Sequence, residues 1–205
     1  MKYILSIVLI VLSWLTSAQD NSLLDRMCSE VAASCVTIDY SYTARVSGID
    51  NQASGELVSQ GENWIVKGNG VEMYCDGTTV WIMDPTAKEV VIEPVADEQQ
   101  TAYLTNPARV FVGLQDSFRI NIATPSSDGV ATIFSLLPVN GGNMEFLNIE
   151  LYNDTAAIRS MSFALNDGTL VKIDVNSMKL TSKLSVDAFT PQTVFDSTWI
   201  VTDLR

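Results

Sequence analysis

The sequence predicts a mainly β fold of the α+β class, in which one large antiparallel sheet of about ten strands is curled over two or three short helices. Three observations predict it. Residues 36–47 alternate strictly between apolar and polar, which is typical of a strand with one buried face. Apolar segments of similar length then follow one another, separated by turn-forming dipeptides. Only two segments have the spacing of a helix.

Residues 1–18 are predicted to be a signal peptide. Lys2 gives a positive start, Tyr3–Leu15 is almost wholly apolar, and Thr16–Ala18 supplies small residues at a cleavage site. The apolar run is shorter than the ~20 residues that a membrane helix needs, and no cysteine directly follows it for acylation. We therefore expect an exported, soluble protein whose mature chain, residues 19–205, forms one domain.

Two segments are predicted to form helices that cover the sheet. The first runs from about Ser22 to Ser34, and the second lies within Gln99–Gln115, where Pro107 suits a helix start. Their apolar residues recur at helical spacing: Leu24, Met27, Cys28, Val31 and Cys35 in the first, and Val110, Phe111 and Leu114 in the second. The residues expected to form a lid are Leu24, Met27, Val31 and Val110.

The remaining elements are predicted to be strands of one meander. The alternating segment Val36–Val46 places its even-numbered, mostly apolar residues on one face. Turn signals such as Asp128-Gly129 and Asp167-Gly168 separate the later strands. Besides the hairpin described next, these strands are Ser54–Ser59, Asn63–Lys67, Phe118–Ala123, Val130–Leu137, Met144–Tyr152, Ile158–Leu165 and Leu170–Ser177.

The segment Val71–Val95 is predicted to be a hairpin followed by a further strand. Asp76-Gly77 favours a tight type I′ turn, and Asp84-Pro85 marks the next turn. Large apolar residues stand on both sides of the first turn. We expect four of them to face the interior: Met73, Cys75, Trp81 and Met83.

A sheet of this size, curled over short helices, is difficult to fill with side chains alone and predicts a cavity. For any single residue, ordinary core packing is the simpler interpretation. In an exported protein, however, a cavity lined only by apolar groups suits acyl chains, and methionine adapts to flexible guests. The expected lining is Tyr40, Tyr42, Leu57, Trp64, Val66, Met73, Cys75, Trp81, Met83, Phe111, Leu114, Phe118, Phe134, Phe146, Met161 and Phe163.

Composition argues against nucleic-acid binding and against most catalysis. Without Lys2 the chain has 11 basic and 24 acidic residues, a net charge of −13, which disfavours nucleic acid and anionic membranes as partners. Histidine is absent, which removes the commonest general base and metal ligand. We expect no catalytic residue, no metal and no cofactor. A hydrolase would have to use the carboxylates of Asp84, Glu89, Glu93, Asp97 and Glu98.

Cys28, Cys35 and Cys75 allow at most one disulfide, with three possible pairings. If Cys28 and Cys35 share one helix they lie about 10 Å apart along its axis, beyond the roughly 7 Å limit for a bridge. A bridge to Cys75 and three buried thiols both remain open, with a slight preference for the thiols.

The order of several motifs resembles the LolA-like periplasmic outer-membrane lipoprotein carrier family. An amphipathic helix and a tyrosine-bearing strand precede G-E-L at Gly55–Leu57, W-x-V at Trp64–Val66 and C-D-G-T-T-V-W-I-M-D-P at Cys75–Pro85. The ending Val201–Arg205 is similar to that of members from Bacteroidetes. The resemblance implies an unclosed antiparallel β-barrel of about 10–11 strands, lidded by helices over a hydrophobic cavity.

The resemblance also implies a function. A family member accepts acylated lipoproteins from an inner-membrane ABC-type lipoprotein-releasing complex, shields their acyl chains and delivers them to an outer-membrane acceptor. We expect a periplasmic monomer without a cofactor. The alternative on the same fold is a regulatory module that senses lipids or lipoproteins.

One departure from the family concerns the lid. Well-studied members have a Lys-Arg-Pro turn whose arginine hydrogen-bonds the lid, and the matching segment here is Ser59–Glu62, without an arginine. Arg45 and Arg109 are possible substitutes. Separately, Asp154–Ala156 in an expected turn resembles a short O-glycosylation signal that would modify Thr155.

Overall fold

The computed structural model describes residues 22–95 and 114–205. The predicted signal peptide and most of the second predicted helix lie outside the described residues. Helix α1 spans 22–33, helix α2 spans Leu114–Ser117, and a 3-10 helix spans Val186–Phe189. The strands are β1 (Cys35–Val46), β2 (Ile49–Gln60), β3 (Asn63–Gly68), β4 (Val71–Asp76), β5 (Thr79–Asp84), β6 (Glu89–Pro94), β7 (Phe118–Pro125), β8 (Ala131–Pro138), β9 (Met144–Tyr152), β10 (Ile158–Leu165), β11 (Leu170–Thr181) and β12 (Ile200–Asp203).

All twelve strands of the described residues form one sheet in the order β12-β6-β5-β4-β3-β2-β1-β11-β10-β9-β8-β7. Neighbouring strands are antiparallel except β12, which is parallel to β6. The long strands β1 and β11 pair at the centre and bring the two halves of the chain together. Strands β7 and β12 are the two edges, so the sheet is an unclosed barrel-like structure, as the sequence predicts.

Tight turns set the register of the first hairpins. Ser47 and Gly48 between β1 and β2 have φ of 51° and 80°, and Asn69 and Gly70 between β3 and β4 have φ of 53° and 79°. Positive φ at both central residues is the requirement of a type I′ turn.

The predicted type I′ turn at Asp76-Gly77 is wrong. Gly77 has φ of 90°, but Asp76 is not among the residues with positive φ. Instead the Asp76 carboxylate accepts hydrogen bonds from the backbone N–H of Thr78, at 2.9 Å, and of Thr79, at 2.8 Å. Asp76 therefore stabilises the turn with its side chain. Burial alone would raise the pKa of Asp76, but these hydrogen bonds together outweigh it and lower the pKa.

A β-bulge preserves the apolar face across the centre of the sheet. Ile38 of β1 pairs with Met178 of β11, but the next even-numbered residue, Tyr40, pairs with Val175. The additional residue in β11 shifts the register by one position. Because side chains alternate along a strand, this shift keeps Met178 and Val175 on the same face as their partners.

The boundary between α1 and β1 differs from the predicted one. The helix ends at residue 33, where the Ser34 N–H bonds the Val31 carbonyl at 3.3 Å, and Cys35 is already the first residue of β1. Cys35 is therefore not part of the helical stripe. Cys28, Cys35 and Cys75 are thiols, with no disulfide among the described residues.

The C-terminal segment after β11 was not predicted as structure and returns across the sheet. Gln60 at the end of β2 exchanges two hydrogen bonds with the backbone of Leu184, at 2.7 and 3.0 Å. Phe189 in the 3-10 helix is fully buried. The chain then reaches β6, where Ile200 donates its N–H to the Lys88 carbonyl at 2.9 Å and β12 begins.

Candidate functional site

Helix α1 packs on one face of the sheet, which we call the inner face. Leu24, Met27 and Val31 of α1 are at most 9% exposed and share one hydrophobic cluster with the sheet. The three predicted lid residues of this helix therefore face the sheet. Val110, the fourth, lies outside the described residues.

Most of the predicted lining residues join this cluster. Leu114 at the start of α2 is buried in it, so one turn of the second predicted helix also contacts the inner face. The buried members of the prediction are Leu57, Trp64, Cys75, Leu114, Phe118, Phe134, Met161 and Phe163, and the partly buried members are Tyr40, Tyr42, Val66 and Met73. Phe111 lies outside the described residues.

The prediction that Trp81 and Met83 face the same interior as Met73 and Cys75 is wrong. In the β4–β5 pairing, Met73 lies opposite Ile82 and Tyr74 lies opposite Trp81. Directly opposed residues share a face, so Trp81 belongs with Tyr74. Trp81 and Met83 accordingly lie in a second cluster on the opposite face, with Tyr74, Val90 and Ile92.

We call this opposite face the outer face. The C-terminal segment covers its second cluster with Phe195 and Trp199, whose rings meet edge to face with centroids 5.2 Å apart. The error has a clear cause. Both faces of β5 are apolar, and the sequence before Pro85 contains no sign of the second covering segment.

Phe146 is also misplaced by the prediction. It pairs with Ala164 and is partly buried, whereas its neighbours Leu147 and Ile149 are fully buried in the inner cluster. Alternation along β9 places Phe146 on the other side of the sheet. It is part of neither hydrophobic cluster.

The prediction missed many aliphatic members of the inner cluster because it favoured aromatic and methionine side chains. Val36 and Ile38 are at most 2% exposed. Their even-numbered positions in the alternating segment already predict that they share the inward face with Tyr40 and Tyr42. The strand register was the other signal, since residues opposite a correctly predicted one share its face. The further missed members are Val80, Leu136, Met144, Leu147, Ile149, Leu151, Ala156, Ile158, Leu165, Val171 and Ile173.

The inner face opens toward the turn between β1 and β2. Along β1 the inward residues change from buried at Val36 and Ile38, through partly buried at Tyr40 and Tyr42, to 45% exposed at Val46. Ile49, which pairs with Val46, is 66% exposed. An apolar surface therefore continues from the core to solvent without a charged residue on this side of β1.

The charged groups of β1 and β2 lie beside this apolar path. Arg45 forms a bidentate pair with Asp50 across the hairpin, at 2.7 and 2.9 Å, and this pairing lowers the pKa of Asp50. These two nitrogens of Arg45 therefore donate within the β1–β2 hairpin. Arg109, the other predicted substitute, lies outside the described residues.

Helix α1 instead has its own contact to the sheet. Arg26 donates a hydrogen bond to the backbone carbonyl of Asp154, at 3.1 Å, in the turn between β9 and β10. The same side chain pairs with Glu30 one turn later on the helix at 2.8 Å. The exposed side of α1 is thus held at the β9–β10 turn while its apolar side packs inward.

Thiol and phenol groups near α1 keep their protons at neutral pH. Burial, followed by the charge of Asp25, raises the pKa of Cys28. Burial, followed by the neighbouring Tyr42, raises the pKa of Tyr40. Because the neutral forms are favoured, this part of the inner face carries no charge from these groups.

The structure describes where potential metal ligands and three of the five carboxylates considered for a hydrolase lie. Among residues 22–95 and 114–205 no cluster of potential metal ligands occurs. Of the carboxylates considered for a hydrolase, Asp84 ends β5 and accepts hydrogen bonds from the backbone of the following turn. Glu89 and Glu93 lie on β6 and are exposed or half-exposed, and Asp97 and Glu98 lie outside the described residues. The helices that the structure describes are too short or too polar to cross a bilayer.

Comparison with known proteins identifies the family. The model of the family described as "Outer membrane lipoprotein carrier protein LolA" matches residues 66–192, more than half of the chain. The protein therefore belongs to the LolA family. Members of this family are periplasmic carrier proteins rather than enzymes. The search of curated proteins found no match.

Three solved structures align with most of this chain, and the first of them has a similar fold. An uncharacterized conserved protein from Thermus thermophilus is 11% identical, with a TM-score of 0.54 over 89% of this chain and 98% of the other. A LolA superfamily protein from Nitrosomonas europaea is 12% identical, with a TM-score of 0.45 over 84% and 97%. A putative outer membrane lipoprotein-sorting protein domain from Vibrio parahaemolyticus is 8% identical, with a TM-score of 0.46 over 82% and 94%.

Proposed function

We propose that the protein is a periplasmic carrier that holds the acyl chains of lipoproteins between α1 and the inner face of the sheet. The observation that carries the proposal is the apolar path along β1, which leads from the buried Val36 to the exposed Val46 and Ile49. A face that is apolar from core to solvent offers an acyl chain a continuous surface.

The energetics favour capture of such a ligand. Burial of each methylene contributes about 0.8 kcal/mol, so even a partly inserted chain binds firmly. Release then requires an acceptor that binds the acyl chain more tightly than the carrier does. The carrier would receive lipoproteins from an inner-membrane ABC-type complex, act as a monomer without a cofactor, and deliver its cargo to an outer-membrane acceptor.

The acidic composition supports a soluble shuttle. A net charge of −12 over the whole chain repels anionic lipid head groups. The protein would therefore approach membranes through specific partners and not by general adsorption.

Depletion of the protein in its native host tests the proposal. The expected result is that acylated lipoproteins accumulate in the inner membrane, measured by membrane fractionation and mass spectrometry. A lipoprotein whose sorting signal retains it in the inner membrane is the control and keeps its distribution. Normal sorting would contradict the carrier function, and normal sorting with altered envelope-stress signalling would favour the sensing module.

A further inference from the structure

Two tyrosines lie side by side on the inner face at the border between core and opening. The ring centroids of Tyr40 and Tyr42 are 6.3 Å apart, with the planes tilted by 33°. Both rings pack partly buried against the inner cluster. On one side Ile38 is 2% exposed, and on the other side Val46 is 45% exposed. The pair thus marks the depth at which the face changes from buried to open.

Their hydroxyl groups are polar groups on an otherwise apolar surface. Among the described residues, neither hydroxyl forms a hydrogen bond with a protein group. A half-buried hydroxyl without a protein partner is satisfied by water in the free protein or by a ligand when one is bound. Since burial and Tyr42 raise the pKa of Tyr40, its hydroxyl remains a donor at neutral pH.

The neighbouring strands are shaped around Tyr40. Across the sheet, Tyr40 pairs with Gly55, and Gly55 pairs with Gly68. A Cβ on Gly55 would lie 2.9 Å from Tyr40 Oη and 2.5 Å from the Lys67 carbonyl oxygen. Glycine within a strand often marks the close approach of another group. Because Gly55 has no side chain, the Tyr40 ring can lie over β2. Neither Gly55 nor Gly68 has a side chain that would cover the surface next to the Tyr40 hydroxyl group.

We propose that Tyr40 and Tyr42 bind the ester carbonyl groups that join two acyl chains to glycerol in a diacylated anchor. This inference rests on the carrier function proposed above. The apolar part of an acyl chain bound to the inner face ends at its ester group. The ester carbonyl oxygen can accept hydrogen bonds but cannot donate them. Two hydroxyl donors at the border of the buried region match that group in chemistry and in depth.

The test compares two lipids that differ only in this group. The probes are 1,2-dioleoylglycerol, which has ester carbonyls, and 1,2-di-O-oleylglycerol, which has ether links. Affinity is measured by displacement of a fluorescent fatty acid. Two hydrogen bonds of ordinary strength should make the ester bind the wild type roughly five- to a hundredfold more tightly than the ether. The variant Tyr40→Phe with Tyr42→Phe should lose this preference and keep its affinity for the ether.

Infrared spectroscopy gives a readout that a general packing defect would not change. With a 13C-labelled ester, the bound carbonyl stretch should lie at lower frequency in the wild type than in the double phenylalanine variant. Tyr152→Phe, an exposed tyrosine whose ring contacts Arg159, is the matched control and should behave like the wild type.

The outcomes separate the two proposals. Equal affinity of the wild type for ester and ether, or a preference that survives in the double variant, would overturn the tyrosine site and leave the carrier function intact. Failure of both lipids to bind the wild type would overturn the carrier function and the tyrosine site together.

Discussion

Phe134 lies on β8, next to the edge strand β7, and shows how tightly this part of the inner cluster is packed. Its side chain is fully buried between Ala123 on β7 and Ile149 on β9, its register partners. No polar atom has to be satisfied at this position, so the residue contributes through apolar burial and close packing.

Phe134→Ala should destabilise the protein by about 3–5 kcal/mol because it leaves a cavity in a packed core. Urea denaturation followed by circular dichroism measures the loss. Val194→Ala is the control, since Val194 is 83% exposed, and it should change the free energy of unfolding by at most about 0.5 kcal/mol. A similarly small loss for Phe134→Ala would show that the inner face is not packed at this point.

Asp128 illustrates the opposite environment, an exposed charge held by short hydrogen bonds. Ser126 donates to one carboxylate oxygen at 2.6 Å and Arg159 to the other at 2.8 Å. The Ser126 hydroxyl, then the Val130 backbone N–H and then Arg159 lower the pKa of Asp128 to about 2. A carboxylate with a lowered pKa stabilises the fold above its unfolded pKa of 3.8 and loses this effect as the pH falls toward 2.

Asp128→Asn should therefore lower the melting temperature at pH 7, and the difference from the wild type should shrink between pH 4 and pH 2. Differential scanning calorimetry over this range measures it. Asp154→Asn is the control, because the Asp154 carboxylate is in no ion pair among the described residues. A difference that stays constant down to pH 2 would contradict the assigned role of the charge.

At the residue scale, the sequence predicts a position most securely where polar and apolar residues alternate. Tyr40 was placed correctly because its neighbours on β1 are polar and mark the other face. Trp81 was misplaced because the residues on either side of it are also apolar, so its side follows only from the pairing of β5 with β4. Phe146 could have been placed from the sequence, since the polar Asn148 and Glu150 share its face of β9.

At the element scale, α1 and the C-terminal segment cover opposite faces of the sheet in different ways. Helix α1 buries one apolar stripe and is held at the β9–β10 turn by Arg26. The C-terminal segment is attached at separate points, through Leu184, Phe189 and Trp199, before it pairs with β6. The helix was predictable from its period. Strand β12 was not, because its four residues are all exposed and its pairing depends on an edge formed much earlier in the chain.

Trp199→Ala should loosen the end of the C-terminal segment while the sheet stays folded. The half-buried indole packs on Phe195 and the outer cluster, so the expected loss is roughly 1–3 kcal/mol. Hydrogen exchange of the Ile200 and Leu204 amides, which bond the carbonyls of Lys88 and Ile92, should become faster. Amides between β9 and β10 serve as the internal control, and unchanged exchange at Ile200 and Leu204 would falsify the anchoring role.

At the scale of the whole molecule, the sheet has an apolar surface on each face, and the two surfaces are covered in different ways. The outer cluster is closed by the chain's own aromatic residues, Phe195 and Trp199. The inner face is covered in part by α1 and remains apolar up to its exposed margin at Val46 and Ile49. This asymmetry is the reason why we propose ligand binding on the inner face, and the acidic composition disfavours general adsorption to anionic membranes.

Site-specific photo-cross-linking on two adjacent residues of β3 tests the central claim most directly. Val66 packs against the inner cluster and Ile65 against the outer one, so a benzophenone side chain at each position samples opposite faces of one strand. With a triacylated lipoprotein as ligand, we predict a cross-linked adduct from position 66 and none from position 65. An adduct from position 65 alone, or equal adducts from both, would contradict binding of acyl chains to the inner face.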